Sequence, residues 1–332
     1  MLYTLTVNPA VDYHMDLSGS GFEPGRINRA AGEEALPGGK GLNVSVMLSR
    51  FGVPSVAWGF AAGNVGELLA ALAARYGCRC DFTILPAGET RINVKLDCEN
   101  ETAINGKGPD IPESAIDGLL EKAECLTDGD TLVLSGNLPA ACADLYGRLC
   151  GIAARRGART VVDAEGSALR DALPLHPFLI KPNEEELLGL YGMDDSQTTL
   201  RGGPADDERE VTVKELVTEQ LQWKLFRLMR RCQEDGAENV LLSCGEKGAW
   251  LLTKDGRLFQ AVLEEKRNAV STVGAGDSML AGFLASLTRD PDDYEKALRL
   301  GCAAGSATAF DRWLAGAREA EALLHKIKVQ QM

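Results

Sequence analysis

Histidine is scarce in this chain of 332 residues, with three in all, and none of its nine cysteines forms a Cys-x-x-Cys pair. A zinc site is therefore not expected, and buried reduced thiols are the default. Basic charge is also short: 35 Lys and Arg against 48 Asp and Glu leave a net charge of -13. That balance opposes nucleic acid and anionic membranes as partners, so an anionic substrate must be held by a local basic cluster. No apolar run is long enough to span a bilayer. The opening Met1-Leu2-Tyr3-Thr4-Leu5-Thr6-Val7-Asn8-Pro9 lacks the basic start and apolar centre of a secretory signal. A soluble, cytoplasmic protein is expected.

What is present is a 45% hydrophobic chain, enough for a large core, and α/β folds of this length often form one domain with attachments. Short β-rich runs alternate with helical patterns. Strands are expected at Leu2 to Val7, Ser55 to Phe60, Thr131 to Ser135, Thr160 to Asp163 and Phe178 to Lys181. Helices are expected from the face Val44, Met47, Leu48 and Phe51, and near 65–76, 141–156 and 183–191. This alternation argues for a mostly parallel sheet with helices on both faces. Residues 12–36 and 89–107 break the rhythm as strand-like segments without helices, which suits a small β-lid. Residues 192–212, acidic and containing Gly202-Gly203-Pro204, read as a surface loop before a helix from Val213 to about Asp235.

Gly274-Ala275-Gly276-Asp277 is the most informative stretch. It follows the β-branched Val270-Ser271-Thr272-Val273 and opens a run with Leu280, Phe283, Leu284 and Leu287 at helical spacing. Small residues let the backbone approach an anion, and the unpaired first-turn N–H groups and helix dipole favour phosphate. A carboxylate beside that hole repels phosphate unless it takes a proton, which gives Asp277 a role as base. The plain alternative is a glycine turn with an acidic first-turn residue.

Gly38-Gly39-Lys40-Gly41-Leu42-Asn43 precedes a second helix, without the spacing of a P-loop. Its glycines admit a substrate to the backbone, Lys40 offers a point charge and Asn43 a donor and an acceptor, although taken alone the motif reads more simply as a flexible helix entry with a solvated lysine. Asp12, after the Asn8-Pro9 turn, can accept sugar hydroxyls or cap a turn. Arg91 and Lys95 project from one face of a strand, and Lys107 lies in a glycine loop. Ser135-Gly136-Asn137-Leu138-Pro139 is a strand-end turn of the kind that meets ligands in open α/β sheets. Asn183 and Glu186, three apart on a first helical turn, can order magnesium water or form an N-cap. Ser243-Cys244-Gly245-Glu246-Lys247-Gly248 either approaches a nucleotide or turns a hairpin.

Taken in order over nearly the whole chain, these motifs resemble the phosphofructokinase B family of ribokinase-like carbohydrate kinases, with Thr272 to Ser278 the most specific segment. The resemblance implies a ribokinase-like three-layer α/β/α fold with a mostly parallel central sheet and a small β-sheet lid. Residues 1–332 would form one kinase domain with the lid segments inserted in it. Asp277 would be the base, and the N–H groups of Gly274, Ala275 and Gly276 the anion hole. Asp12, Gly38, Gly39, Asn43, Lys107 and Ser135 would line the sugar, with Lys40 and Arg91 on its existing phosphate and Arg26 assisting. Lys181, Asn183, Ser243, Gly245 and Gly248 would meet ATP, while Asn183 and Glu186 would organise Mg²⁺.

Lys40 and the Thr90-Arg91-Ile92-Asn93-Val94-Lys95 run are most similar to members that phosphorylate fructose 1-phosphate at C6, with those acting on tagatose 6-phosphate next. A sensor that has lost catalysis is the alternative from another class. Two lids packed face to face would give a homodimer. Two departures stand out: Asn137 in place of a serine, and Asp311-Arg312-Trp313 in place of a smaller segment, which bears on the adenine pocket.

Overall fold

Apolar residues alternate along the strands of a large sheet and feed two separate cores, one on each face. In the computed structural model, described for residues 1–19, 21–98, 102–192 and 213–332, fifteen strands and ten α-helices are present. The strands are β1 (Leu2–Thr6), β2 (Ala10–Asp16), β3 (Gly32–Gly38), β4 (Ser55–Ala61), β5 (Arg79–Cys80), β6 (Thr83–Ile84), β7 (Arg91–Asp97), β8 (Thr102–Asn105), β9 (Thr131–Ser135), β10 (Arg159–Asp163), β11 (Leu179–Ile180), β12 (Asn239–Ser243), β13 (Ala249–Leu252), β14 (Leu258–Leu263) and β15 (Ile327–Gln331). The helices are α1 (Lys40–Arg50), α2 (Gly63–Arg75), α3 (Glu113–Ala123), α4 (Leu145–Arg155), α5 (Gly166–Ala172), α6 (Glu184–Leu190), α7 (Val213–Glu234), α8 (Ala275–Arg289), α9 (Tyr294–Ala309) and α10 (Ala317–Leu323).

The large sheet runs β15-β14-β13-β12-β11-β10-β9-β1-β4-β5, with β6 also paired to β4. It is parallel from β5 to β12 and antiparallel from β12 to β15. Ala57, Val133, Val161, Leu179 and Leu241 pack with α1, α2, α8, α9 and α10. Their neighbours Val56, Leu132, Val162, Ile180 and Val240 pack with the opposite layer, α3 to α7. That period of two, with both faces covered by helices, is the expected three-layer architecture. The expected strands and helices are found within a few residues of their predicted bounds. From 193 on, the acidic stretch read as a loop lies outside the described residues.

Chain direction from β1 is what positions the site. The order reverses beside β1, between β4 and β9, and the C-terminal ends of parallel strands at such a switch point form a crevice. There β1 runs through Asn8-Pro9 into β2, and β3 returns directly into α1. The second sheet, β3-β2-β7-β8, is the expected lid. Asp12, His14 and Asp16 of β2 lie in register with Asn93, Lys95 and Asp97 of β7 and share its inner face. Ile92 and Ile104 stand on the outer face, both exposed, with Val94 half-buried between them. Leu96, of the same parity on β7, is buried.

Candidate active site

Gly274 begins α8 in the left-handed region at φ 76, and a Cβ there would lie 2.5 Å from Leu314 Cδ2. Both constraints select glycine. The turn carries Asp277 into the first helical turn, where it is buried. Ala275 N–H donates to the Thr272 carbonyl at 3.3 Å, whereas the N–H groups of Gly276 and Asp277 have no backbone partner among the described residues. The anion-binding end of α8 is therefore built from the last two more than from Ala275.

Asp277 is tied to the other glycine motif. Asn43 Nδ2 donates to Asp277 Oδ2 at 2.8 Å, and both side chains are buried. Burial and, after it, the Asp163 carboxylate push the Asp277 carboxyl up to about 6, against the Asn43 hydrogen bond, Lys181 and Lys40, which pull it down. A carboxylate whose pKa sits near neutrality suits proton transfer.

Asp163, which ends β10, is the residue the sequence reading passed over. It is fully buried, with Lys181 Nζ 3.2 Å and Lys40 Nζ 3.6 Å from its Oδ1. These are ion-pair distances, and by strict geometry neither Asp163 oxygen has a hydrogen-bond partner among the described residues. Ser135 Oγ, in register on β9, is likewise buried without one. Two lysines converging on one carboxylate leave a surplus of positive charge beside Asp277. Burial alone would lower the Lys40 pKa, but Asp163, Asp277 and Glu186 outweigh it and raise it. Its signal in the sequence was an acid closing the apolar Val161-Val162 strand, at the ligand end of a parallel sheet.

A second group belongs to the lid. Asn93 Nδ2 donates to Asp12 Oδ1 at 2.8 Å. Gly38 passes so close that a Cβ would lie 2.4 Å from the Asp12 carboxyl carbon. Arg91 Nε donates to the Asn8 carbonyl at 3.1 Å, and Asn8 Nδ2 to the Lys107 carbonyl at 2.9 Å, fastening β7 and the loop after β8 to the turn below the lid. Between lid and core lies a cavity of about 240 Å³ whose walls include Asp12, Asn43, Lys95, Gly274 and Arg312. The cavity thus joins the two groups, though Lys40 and Arg91, assigned to one phosphate by sequence, sit in different ones. Arg26 is exposed on the turn between β2 and β3 and is not among the cavity's lining residues.

The nucleotide-side residues take plainer roles. Asn183 and Glu186 form a reciprocal cap at the start of α6, each side chain accepting from the other's backbone N–H at 2.8 Å. Ser243 to Gly248 turns the β12–β13 hairpin. Gly248 is required there, since a Cβ would meet the Ala261 carbonyl at 2.0 Å. Gly245 also has positive φ, at 55. Lys181 lies further in than its nucleotide assignment suggests, its Nζ 3.2 Å from where a Cβ on Gly276 would stand. Asn137 Nδ2 donates to Glu165 at 2.7 Å, away from Asp277's own contacts.

Known proteins resemble this chain over nearly its whole length. The profile of the pfkB family carbohydrate kinases matches residues 6–314. A 1-phosphofructokinase of Bacillus subtilis is 36% identical, over 100% of both chains. A D-tagatose-1-phosphate kinase of Bacillus licheniformis is 31% identical, again over 100% of both. Phosphofructokinase-2 from Escherichia coli, solved in complex with substrates and products, has a TM-score of 0.82 at 25% identity, covering 98% of each chain. The ribokinase-like fold is borne out, and the chain belongs to the pfkB family of carbohydrate kinases, as a phosphotransferase enzyme.

Proposed function

We propose that this kinase transfers the γ-phosphoryl group of ATP to the C6 hydroxyl of fructose 1-phosphate, giving fructose 1,6-bisphosphate and ADP. The observation that carries the reading is Asp277: a buried carboxyl raised to about 6, beside unpaired N–H groups at the start of α8. The C6 oxygen attacks the γ-phosphorus, the bond to the bridging oxygen breaks towards ADP, and the hydroxyl proton passes to Asp277. Gly276 and Asp277 N–H groups, with Lys40 and Lys181, stabilise the transferring group's charge. Lys40 is thereby moved from the sugar's phosphate to the reacting one, because it faces Asp163 and not Arg91. Arg91 keeps the phosphate already on the sugar. Asp12 and Asn43 hold hydroxyls, and the lid keeps water from competing as acceptor.

Magnesium fits the acidic groups beside this centre. The Glu186 carboxylate has one oxygen outside the α6 cap. Glu186 and Asn183 would hold the ion through water, and when bound it would offset charge on the ATP phosphates.

A second reading is favoured by the relative named D-tagatose-1-phosphate kinase. Tagatose differs from fructose at C4, and with phosphate on C1 it presents the same C6 hydroxyl, so few contacts separate the two. Tagatose 6-phosphate would have to bind reversed. ATP turnover with fructose 1-phosphate, tagatose 1-phosphate, tagatose 6-phosphate, fructose 6-phosphate and unphosphorylated sugars tests the reading. The highest kcat/KM is expected for fructose 1-phosphate; no turnover of any of them would favour a sensor instead.

A further inference from the structure

Arg50 ties the segment after α9 to the core. Arg50, in the last turn of α1, donates to the carbonyls of Leu314 and Ala315, the second at 2.8 Å. Its guanidinium lies 5.0 Å from the Trp313 ring centroid and 5.5 Å from that of Tyr76. The two rings contact each other at 4.6 Å. Trp313 is therefore packed on a stacked cation and a second aromatic ring, and its backbone neighbours are pinned. Arg312 is carried on this fixed base and is exposed.

Across from it stands the tip of the lid. Asp16 and Asp97 are direct register partners at the ends of β2 and β7, so two carboxylates lie side by side on one face. Such a pair is unfavourable unless a cation faces it. His14 Nδ1 is 3.8 Å from Asp97 Oδ1 on the lid itself. The Asp16 carboxylate accepts from Ser18 N–H and Oγ, at 3.0 and 2.6 Å. Those bonds hold its pKa below the usual carboxylate range, and the Arg312 charge contributes. Arg312, His14, Asp16 and Asp97 line both the 240 Å³ cavity and a second one of about 190 Å³ beside it. Neither Arg312 nor Asp16 joins an ion pair among the described residues, so opposite charges face each other across an open gap.

We propose that Arg312 is a positioning residue for the lid: its guanidinium draws the paired carboxylates of Asp16 and Asp97 onto the core as the cavity closes over the sugar. Its fixed base on Trp313 and Arg50 makes the core the immobile half of the contact. Arg312 touches no reacting atom and acts through the lid strands, whose inner-face residues Asp12, His14 and Lys95 line the cavity. The catalytic part of this inference rests on the kinase reading; the contact itself does not.

Hydrogen exchange of the full-length protein, alongside steady-state kinetics, separates the two. In Arg312→Ala, exchange over residues 10–16 and 91–97 should rise about fivefold while β9 and β10 stay unchanged, the size expected for an ion pair at a surface. The KM for the sugar phosphate should rise by about the same factor with the KM for ATP unmoved. Arg312→Lys, which keeps the charge, should remain within about twofold of wild type in exchange. Asp16→Asn with Asp97→Asn should reproduce the Arg312→Ala result from the other side of the gap. Lid exchange unchanged in both Arg312→Ala and the double variant would overturn the proposal. A wild type that phosphorylates no sugar phosphate would overturn the kinase reading, while the exchange data still decide the contact.

Discussion

Asn43 and Asp277, 234 positions apart in sequence, are joined by a 2.8 Å hydrogen bond from the Asn43 amide to Asp277 Oδ2. The bond fixes one oxygen of the proposed base and leaves Oδ1 for a hydroxyl. It also ties the start of α1 to the start of α8, so both glycine motifs are held in one geometry. Because the Asp277 pKa is raised to about 6, catalysis should fall as pH drops through that value and the carboxylate takes up a proton. A kcat/KM profile with its acid limb near 6 is expected; a limb near 4 would mean that the buried carboxyl does not control the rate.

Asp163 raises the Asp277 pKa while neutralising Lys40 and Lys181. Asp163→Asn removes a like charge and frees two cations to act on Asp277, so both changes push its pKa down. The acid limb should move to lower pH. The variant should also be less stable by roughly 3 kcal/mol, since the buried Lys181 loses its partner. Denaturation and the pH profile check the two effects separately, and a limb that moves to higher pH would contradict the electrostatic account.

Lys40 and Arg91 separate chemistry from recognition. Arg91→Ala should raise the KM for the phosphorylated sugar by roughly tenfold or more and leave that for ATP near its wild-type value. Lys40→Ala should instead lower kcat by about 10²-fold. Equal changes in both KM values for either variant would point to misfolding or a nucleotide role.

Much of this site was legible because its signals are local. Gly274, Gly276 and Asp277 announce a helix start within four residues, and the strand-helix alternation gives the layers directly. Asp163 was not legible, since an acid at the end of a short strand looks like any strand-to-loop transition. Nor was the company Lys40 keeps: its partner lies 123 positions away on β10, and only the parallel register of β9, β10 and β11 brings Ser135, Asp163 and Lys181 together. Trp313, in the Asp311-Arg312-Trp313 departure that bears on the adenine pocket, lines the cavity shared with Asp12 and packs on Arg50 and Tyr76. Local pattern cannot show stacking between residues so distant in sequence. Asn183 and Glu186 fitted both alternatives raised, and the cap they form leaves room for the second.

The lid's outer face bears on assembly. Ile92 is 43% and Ile104 59% exposed, with Val94 in register opposite Ile104. Exposed apolar residues on a four-stranded sheet favour a second copy packing over them. Light scattering should report a wild-type homodimer, and Val94→Asp a monomer with weakened sugar-phosphate binding. A wild type that is monomeric at micromolar concentration would contradict this face as an interface.

In the proposed reaction Asp277 takes the proton from the sugar hydroxyl. Steady-state kinetics of Asp277→Asn with ATP and fructose 1-phosphate tests it most directly, because the amide keeps the shape and removes the base. The kcat should fall by roughly 10² to 10⁴ while both KM values change little. A variant that keeps the wild-type kcat and differs only in melting temperature would show that Asp277 is a structural acid of the α8 first turn.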